Sequence, residues 1–206
     1  VTIMGAVAVD GETALAWADS AVFSARAAAP IGHASKLSVN ALACVVGVGC
    51  GWEAVAIEGA NALAASLGLD ELVEELPARL RRVAGRVAPV MEKLDAGSFA
   101  DCTFAATGWS RGCGRMLVVE FSALCAFEPR WATCVTVPEL PPLVLPASAD
   151  WFAVACAAEA QMSEFRRARP ETDGQLVAAL IRPGKIEAGV LLDFASPATV
   201  TPAAGQ

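Results

Sequence analysis

The spacing of apolar residues along this 206-residue chain switches from strand-like to helical and back again, and that order restricts the folds open to it more than any single motif. Residues 2–9, Thr-Ile-Met-Gly-Ala-Val-Ala-Val, read as a strand, Asp10-Gly11 is a strong hairpin signal, and a partner strand is expected over 13–18. A further hairpin is expected from residues 36–39 and 41–48, with Asn40 between them. Gly49-Cys50-Gly51 then breaks the pattern, and residues 52–67 carry Ala, Leu and Glu at helical spacing. Asp70 is placed to cap a second helix over 71–94, with acids early and Arg79, Arg81, Arg82 and Arg86 later, in the sense the helix dipole favours. Pro77 and Pro89 are expected to kink or divide that helix, because each removes a backbone donor.

Strands return at 102–107 and 116–121 around a glycine-rich turn at 108–114. Four prolines within 137–146 exclude a central strand there, and Asp150 can cap a third helix over 151–168. Thr172-Asp173-Gly174 introduces a strand at 175–181, Pro183-Gly184 makes a turn, and 187–194 completes the last hairpin, leaving 196–206 as a flexible tail. Strands at both ends flanking helices give an α+β chain of two antiparallel sheets. Each sheet has an apolar face that a helical layer must cover, so the expected architecture is a four-layer αββα sandwich. Residues 1–195 are expected to form one domain, a length that buries a sizeable core. Hydrophobic residues make up 55% of the chain but aromatics only 6%, which suits tightly packed layers of small side chains.

The charge balance points away from nucleic acid: 15 Lys and Arg against 22 Asp and Glu give −7, and basic residues cluster only at 79–86 and 166–169. The longest uncharged stretch, 37–52, falls short of the roughly 20 apolar residues a membrane-crossing helix requires, so no membrane partner is expected. No signal-peptide pattern opens the sequence, which makes the expected location the cytoplasm or a particle assembled there. Seven cysteines form no CxxC pair and lie mostly in apolar runs, which favours reduced, buried thiols. The single histidine, His33, lies between Gly32 and Ala34 and reads as a surface or hydrogen-bonded loop residue. One histidine composes neither a zinc site nor a His-based triad, and no metal or cofactor is expected.

The order of elements, with Thr2-Ile3-Met4-Gly5 before Asp10-Gly11, Ala16-Trp17-Ala18-Asp19-Ser20, Lys36-Leu37 before 43–51, and Thr172-Asp173-Gly174 before the strand at 176–181, resembles the N-terminal-nucleophile (Ntn) hydrolases. The resemblance is specifically to the β-type proteasome subunits and their bacterial relatives, and it spans most of the chain. It implies a threonine-type peptidase or amide hydrolase. In that family a terminal threonine hydroxyl attacks, its free α-amine accepts the proton, and a Lys held by an Asp eases deprotonation. An α-amine with a pKa near about 8 is a suitable base, so no histidine is needed.

Carried over to this sequence, Asp19 and Lys36 match the family's Asp and Lys and would form a buried pair. Thr172 keeps a hydroxyl where the family has a serine, and backbone N–H groups at Gly47, Gly49 and Gly51 are candidates for an oxyanion hole. Counted back from Gly5, the family's threonine falls on Val1, with Thr2 next. Removal of Val1 would make Thr2 the nucleophile with a free amine; retention would leave no activated nucleophile. The family's supporting Asp falls near Arg169, and its glycine-serine loop is replaced by residues 136–146.

Two functions stay open at this point. The chain is either a threonine-type hydrolase of a peptide or amide substrate, or a catalytically silent structural subunit that assembles into a ring, shell or virion-like particle. The apolar faces of the helices at 52–67 and 71–94 are the candidate meeting surfaces in the second case. A homo-oligomer is expected either way, and whether an unfoldase partner feeds it is left open.

Overall fold

Alternating small apolar residues build the first hairpin. In the computed structural model, which describes residues 3–23, 30–94, 98–137, 150–168 and 174–193, β1 (Met4–Ala8) pairs antiparallel with β2 (Ala14–Asp19). Asp10 closes the turn, its Oδ1 accepting the backbone N–H groups of Glu12 and Thr13 at 2.7 and 2.6 Å. Gly5 lies opposite Trp17, and the indole covers it so closely that a Cβ at position 5 would sit 2.1 Å from Trp17 Cζ2.

Two five-stranded antiparallel sheets follow from the remaining pairings. The first contains β1 and β2 at its centre, with β10 (Cys134–Val137) beside β1, β11 (Gln175–Arg182) beside β2, and β12 (Lys185–Asp193) at the far edge. The second runs β5 (Leu37–Asn40), β6 (Val45–Cys50), β7 (Thr103–Ser110), β8 (Arg115–Ser122) and β9 (Pro129–Ala132). A two-stranded ribbon, β3 (Ala21–Phe23) with β4 (Pro30–His33), connects the two in sequence. The ribbon, β9 and β10 are additions to the strands expected from sequence. Both β9 and β10 are edge strands of four residues, β9 opening on Pro129 and β10 ending before Pro138, positions where a missing donor costs no central pairing.

Among the described residues there are three α-helices: α1 (Glu53–Ala65), α2 (Leu69–Leu94) and α3 (Trp151–Ala168). Three expectations are corrected here. Pro77 and Pro89 do not divide α2, which runs on through both. Leu72, Leu76, Leu80 and Ala84 form a buried stripe with Pro77 among them, and that packing outweighs the backbone bond a proline removes, worth about 3 kcal/mol. Asp70 lies inside the helix rather than ahead of it, and its Oδ2 accepts Arg111 N–H at 2.8 Å and Gly112 N–H at 3.1 Å from the β7–β8 turn. The turn itself is confined to 111–114, because Gly108 belongs to β7, opposite Val45, where a Cβ would come within 2.7 Å of the Cys44 carbonyl oxygen. Glycine at 108 answers a close approach between strands, not a reversal of the chain.

Partial burial works against ionisation of Asp70, but hydrogen bonds from the Ser110 hydroxyl and the Gly112 and Arg111 amides win and hold its pKa below the usual carboxylate value. Its contribution to stability is therefore present above the unfolded-state pKa of 3.8 and lost as pH falls through the depressed folded value. Asp70→Ala is expected to cost about 1 kcal/mol at neutral pH by chemical denaturation, and less in acid.

Three buried clusters tie the elements together. Val45, Ala106, Val119 and Phe121 of the second sheet pack with Val55 and Leu63 of α1 and Leu72, Leu76 and Leu80 of α2. Met4, Ala16, Ala18 and Ile181 of the first sheet meet Val46, Val48, Ala105 and Val118 of the second. On the other face of the first sheet, Leu15, Trp17, Leu176 and Leu180 pack with Val154 and Ala155 of α3. The cysteines divide more evenly than expected: Cys44, Cys50 and Cys102 are buried, Cys125 and Cys134 half-buried, and Cys113 and Cys156 exposed. No helix among the described residues is long and apolar enough to cross a membrane.

Candidate functional site

The last residue of β2 is Asp19, and the sheet register sets it beside the start of the described chain. Asp19 N–H donates to the Ile3 carbonyl at 2.9 Å, and Ile3 N–H donates back to Asp19 Oδ1 at 2.8 Å. Lys36, just before β5, brings its Nζ to the same Oδ1 at 2.9 Å. The side chain of Asp19 is 1% exposed and that of Lys36 12%, so this ion pair is largely removed from water. Asp19 Oδ2 is buried with no hydrogen-bond partner among the described residues.

Burial dominates the chemistry of the carboxyl group. Desolvation raises the pKa of Asp19 above 3.8, outweighing the attraction and hydrogen bond of Lys36 and the Ile3 N–H, which all favour the anion. The folded state therefore holds this proton more tightly than the unfolded chain. The sign follows: the Asp19 contribution is fully present below pH 3.8 and declines as pH rises through the raised folded value. Asp19→Asn is expected to flatten this part of the stability-against-pH curve, measured by denaturant unfolding at a series of pH values. An unchanged slope would place the titration elsewhere.

The three glycines of the candidate oxyanion loop occupy different environments. Gly47 sits inside β6, paired between Ser38 and Ala106, and a Cβ there would lie 2.5 Å from Phe104 Cζ and 2.7 Å from Leu63 Cδ1. Gly49 donates its N–H to the Lys36 carbonyl at 3.3 Å, and its missing Cβ leaves room for Ala56 and Phe104. Gly59 of α1 completes the notch, since a Cβ there would be 2.4 Å from Phe104 Cδ2. Phe104 is thus a ring set into glycines from a strand and a helix.

Gly51 differs from the other two. It is exposed, has φ +89°, and crosses so close to Cys102 that a Cβ would lie 2.6 Å from the Cys102 Cα. Its N–H has no hydrogen-bond partner among the described residues. Of the three glycines, Gly51 is the one with a backbone donor left for a ligand. Neighbouring Cys50 is buried, and desolvation pushes its thiol up to about 11, with the Thr103 backbone hydrogen bond and then Lys36 only partly opposing this, so it stays protonated near neutral pH.

Thr2 and Thr172 lie outside the described residues, as do Val1, Arg169, residues 138–146 and the tail at 196–206. Asp19 and Lys36 are brought together, and the Lys36 carbonyl is bonded to Gly49, two residues from Gly51. Sequence reasoning did not single out Ser20, whose Oγ lies 3.5 Å from Nδ1 of His33 beside Gly174; His33, expected to be a surface or hydrogen-bonded residue, is exposed. The available signal was the adjacency of Ser20 to Asp19. Among the described residues no group of three or more His, Cys, Asp or Glu side chains is placed to hold a metal ion.

No family model matches the chain, and no curated protein gives a significant match. Solved structures do match. A mutant of Anbu from Hyphomicrobium sp. strain MC1 aligns with a TM-score of 0.70 at 11% identity, covering 95% of this chain and 90% of that one. Anbu from Yersinia bercovieri, described as an ancestral β-subunit, aligns with a TM-score of 0.68 at 12% identity, covering 93% and 88%. What persists at such low identity is the backbone path, and the chain has the fold of the proteasome-β-like proteins represented by Anbu.

Proposed function

We propose that this chain is a divergent Ntn hydrolase of the proteasome β type, in which residues 1–195 form one domain with a four-layer αββα architecture. Thr2, once it is the first residue, attacks the carbonyl carbon of a peptide or amide. The observation that carries this reading is the convergence of Lys36 Nζ and Ile3 N–H on one buried oxygen of Asp19. Thr2 is joined covalently to Ile3, so its hydroxyl and amine are tethered to that pair. The ammonium of Lys36 favours a neutral amine nearby, and a neutral amine is the form that accepts a proton.

In the proposed reaction the Thr2 hydroxyl proton passes to the α-amine as the Oγ–C bond forms, and the Gly51 N–H donates to the developing oxyanion. Collapse breaks the C–N bond, and the leaving amine takes the proton held by the α-ammonium. Water then hydrolyses the resulting ester with the same amine as base. Thr172 would supply a supporting hydroxyl. Protein with Thr2 as its first residue, checked by intact mass, is expected to form a one-to-one adduct with a peptidyl epoxyketone, an electrophile that needs a hydroxyl and an amine on the same residue. Absence of the adduct on such protein would overturn the catalytic reading.

A second reading, a silent subunit of a homo-oligomer, draws on a different observation. Ile57 of α1, Leu67 just after it, and Val90 and Leu94 near the end of α2 are exposed apolar side chains. Mass photometry on the same preparation separates the readings: a particle of many copies without adduct formation supports assembly alone, and a strict monomer at micromolar concentration removes it.

A further inference from the structure

Asp19 and Lys36 come from different segments, and one residue is bonded to both of their neighbourhoods. Ser20 N–H donates to the Gln175 carbonyl at 2.8 Å, the Ser20 carbonyl accepts Ala34 N–H at 2.8 Å, and Ser20 Oγ accepts Gln175 N–H at 2.9 Å. Every polar group of this residue joins the end of β2 either to the start of β11 or to the segment that reaches Lys36 two residues after Ala34. His33 Nδ1 lies 3.5 Å from the same Oγ, and the tautomer of the ring sets which of the two donates. Gly174 closes the knot. It is buried with φ +83°, and a Cβ there would lie 2.5 Å from Ser20 Oγ and 2.7 Å from His33 Nδ1.

Ser20 is 9% exposed and its hydroxyl is the acceptor for the Gln175 N–H, so removing it breaks the side-chain tie between the end of β2 and the start of β11. The strain falls on the residue next to Asp19 and on the segment from Ala34 that leads to Lys36. We propose that Ser20 is a positioning residue that holds Asp19 and Lys36 in register through Gln175 and Ala34, an inference that rests on the reading of this pair as the tuning element for an N-terminal nucleophile. Ser20 itself touches no substrate.

The test uses the full chain with Thr2 first, in three variants, with two readouts: turnover of a fluorogenic peptide per folded molecule, and hydrogen exchange of the Ile3 amide, which reports directly on Asp19 Oδ1. Ser20→Ala is expected to lower kcat about tenfold with KM within about twofold, and to speed Ile3 exchange about tenfold while the Val119 amide in the second sheet is unchanged. Ser20→Thr, which keeps a hydroxyl, is expected to recover both to within about threefold of the parent. His33→Ala leaves the Gln175 N–H satisfied and is expected to change either readout by less than about threefold. Unchanged Ile3 exchange in Ser20→Ala, no recovery in Ser20→Thr, or a His33→Ala loss as large as that of Ser20→Ala would each overturn the proposal. A parent protein without turnover defeats the catalytic reading alone, and Ile3 exchange in Ser20→Ala and Ser20→Thr still decides the positioning role.

Discussion

Gly5→Ala is expected to destabilise the protein by about 3 kcal/mol and to lower Tm by roughly 6–12 °C. The added methyl carbon would lie 2.1, 2.5 and 2.6 Å from three atoms of the Trp17 ring, well inside contact distance. That ring cannot swing aside cheaply. Trp17 is 1% exposed and packed among Ile3, Val7, Leu15, Val154 and Leu176, so relief must come from separating β1 and β2 or from displacing α3. Gly85→Ala is the matched control, because position 85 lies in α2 with nothing within 4 Å of the new carbon. Helix propensity alone then predicts a gain of about 1 kcal/mol there. Thermal unfolding of the two variants side by side checks both signs, and a Gly5→Ala protein melting with the parent would mean that the indole does not occupy the space above Gly5.

Lys36→Met is expected to separate chemistry from folding. Methionine keeps the apolar stem and removes the ammonium, so Asp19 loses its partner at 2.9 Å but can meet the loss by taking up a proton, the form its burial already favours. The stability cost should therefore stay near about 1–3 kcal/mol. With the positive charge gone, nothing at Asp19 holds the neighbouring amine neutral, and adduct formation at Thr2 should slow by about 10²–10⁴-fold. A rate within threefold of the parent would show that the pair is an internal strut without a role in the reaction.

The sequence carried the first hairpin, the three helices and the last hairpin legibly, because each has a clear period or a turn dipeptide to mark it. The ribbon from Ala21–Phe23 and Pro30–His33 was not legible: residues 24–29 are dominated by alanine, and alanine marks neither face of a strand. Asp70 was read as a local cap because carboxylates near helix starts usually act locally. Its partners are more than 40 residues away, in a turn whose proximity depends on the packing of β7 and β8. At the site, Asp19 and Lys36 could be paired only by resemblance to a family. Neither the Ser20 knot nor the Gly51 N–H, which has no partner among the described residues, has a local signature, since both depend on which strand ends meet in space.

Phe104 has a mechanical consequence. A ring keyed into Gly47 and Gly59 at once blocks shear between β6 and α1 in either direction, so strand and helix move as a single lever. Ile57, exposed on the outside of that helix, is the handle, and Gly51, at the turn between them, is the tip. Sliding of α1 along β6 would drive the Gly47 or Gly59 backbone into the Phe104 ring, so the turn at Gly51 that joins strand to helix is held at both ends.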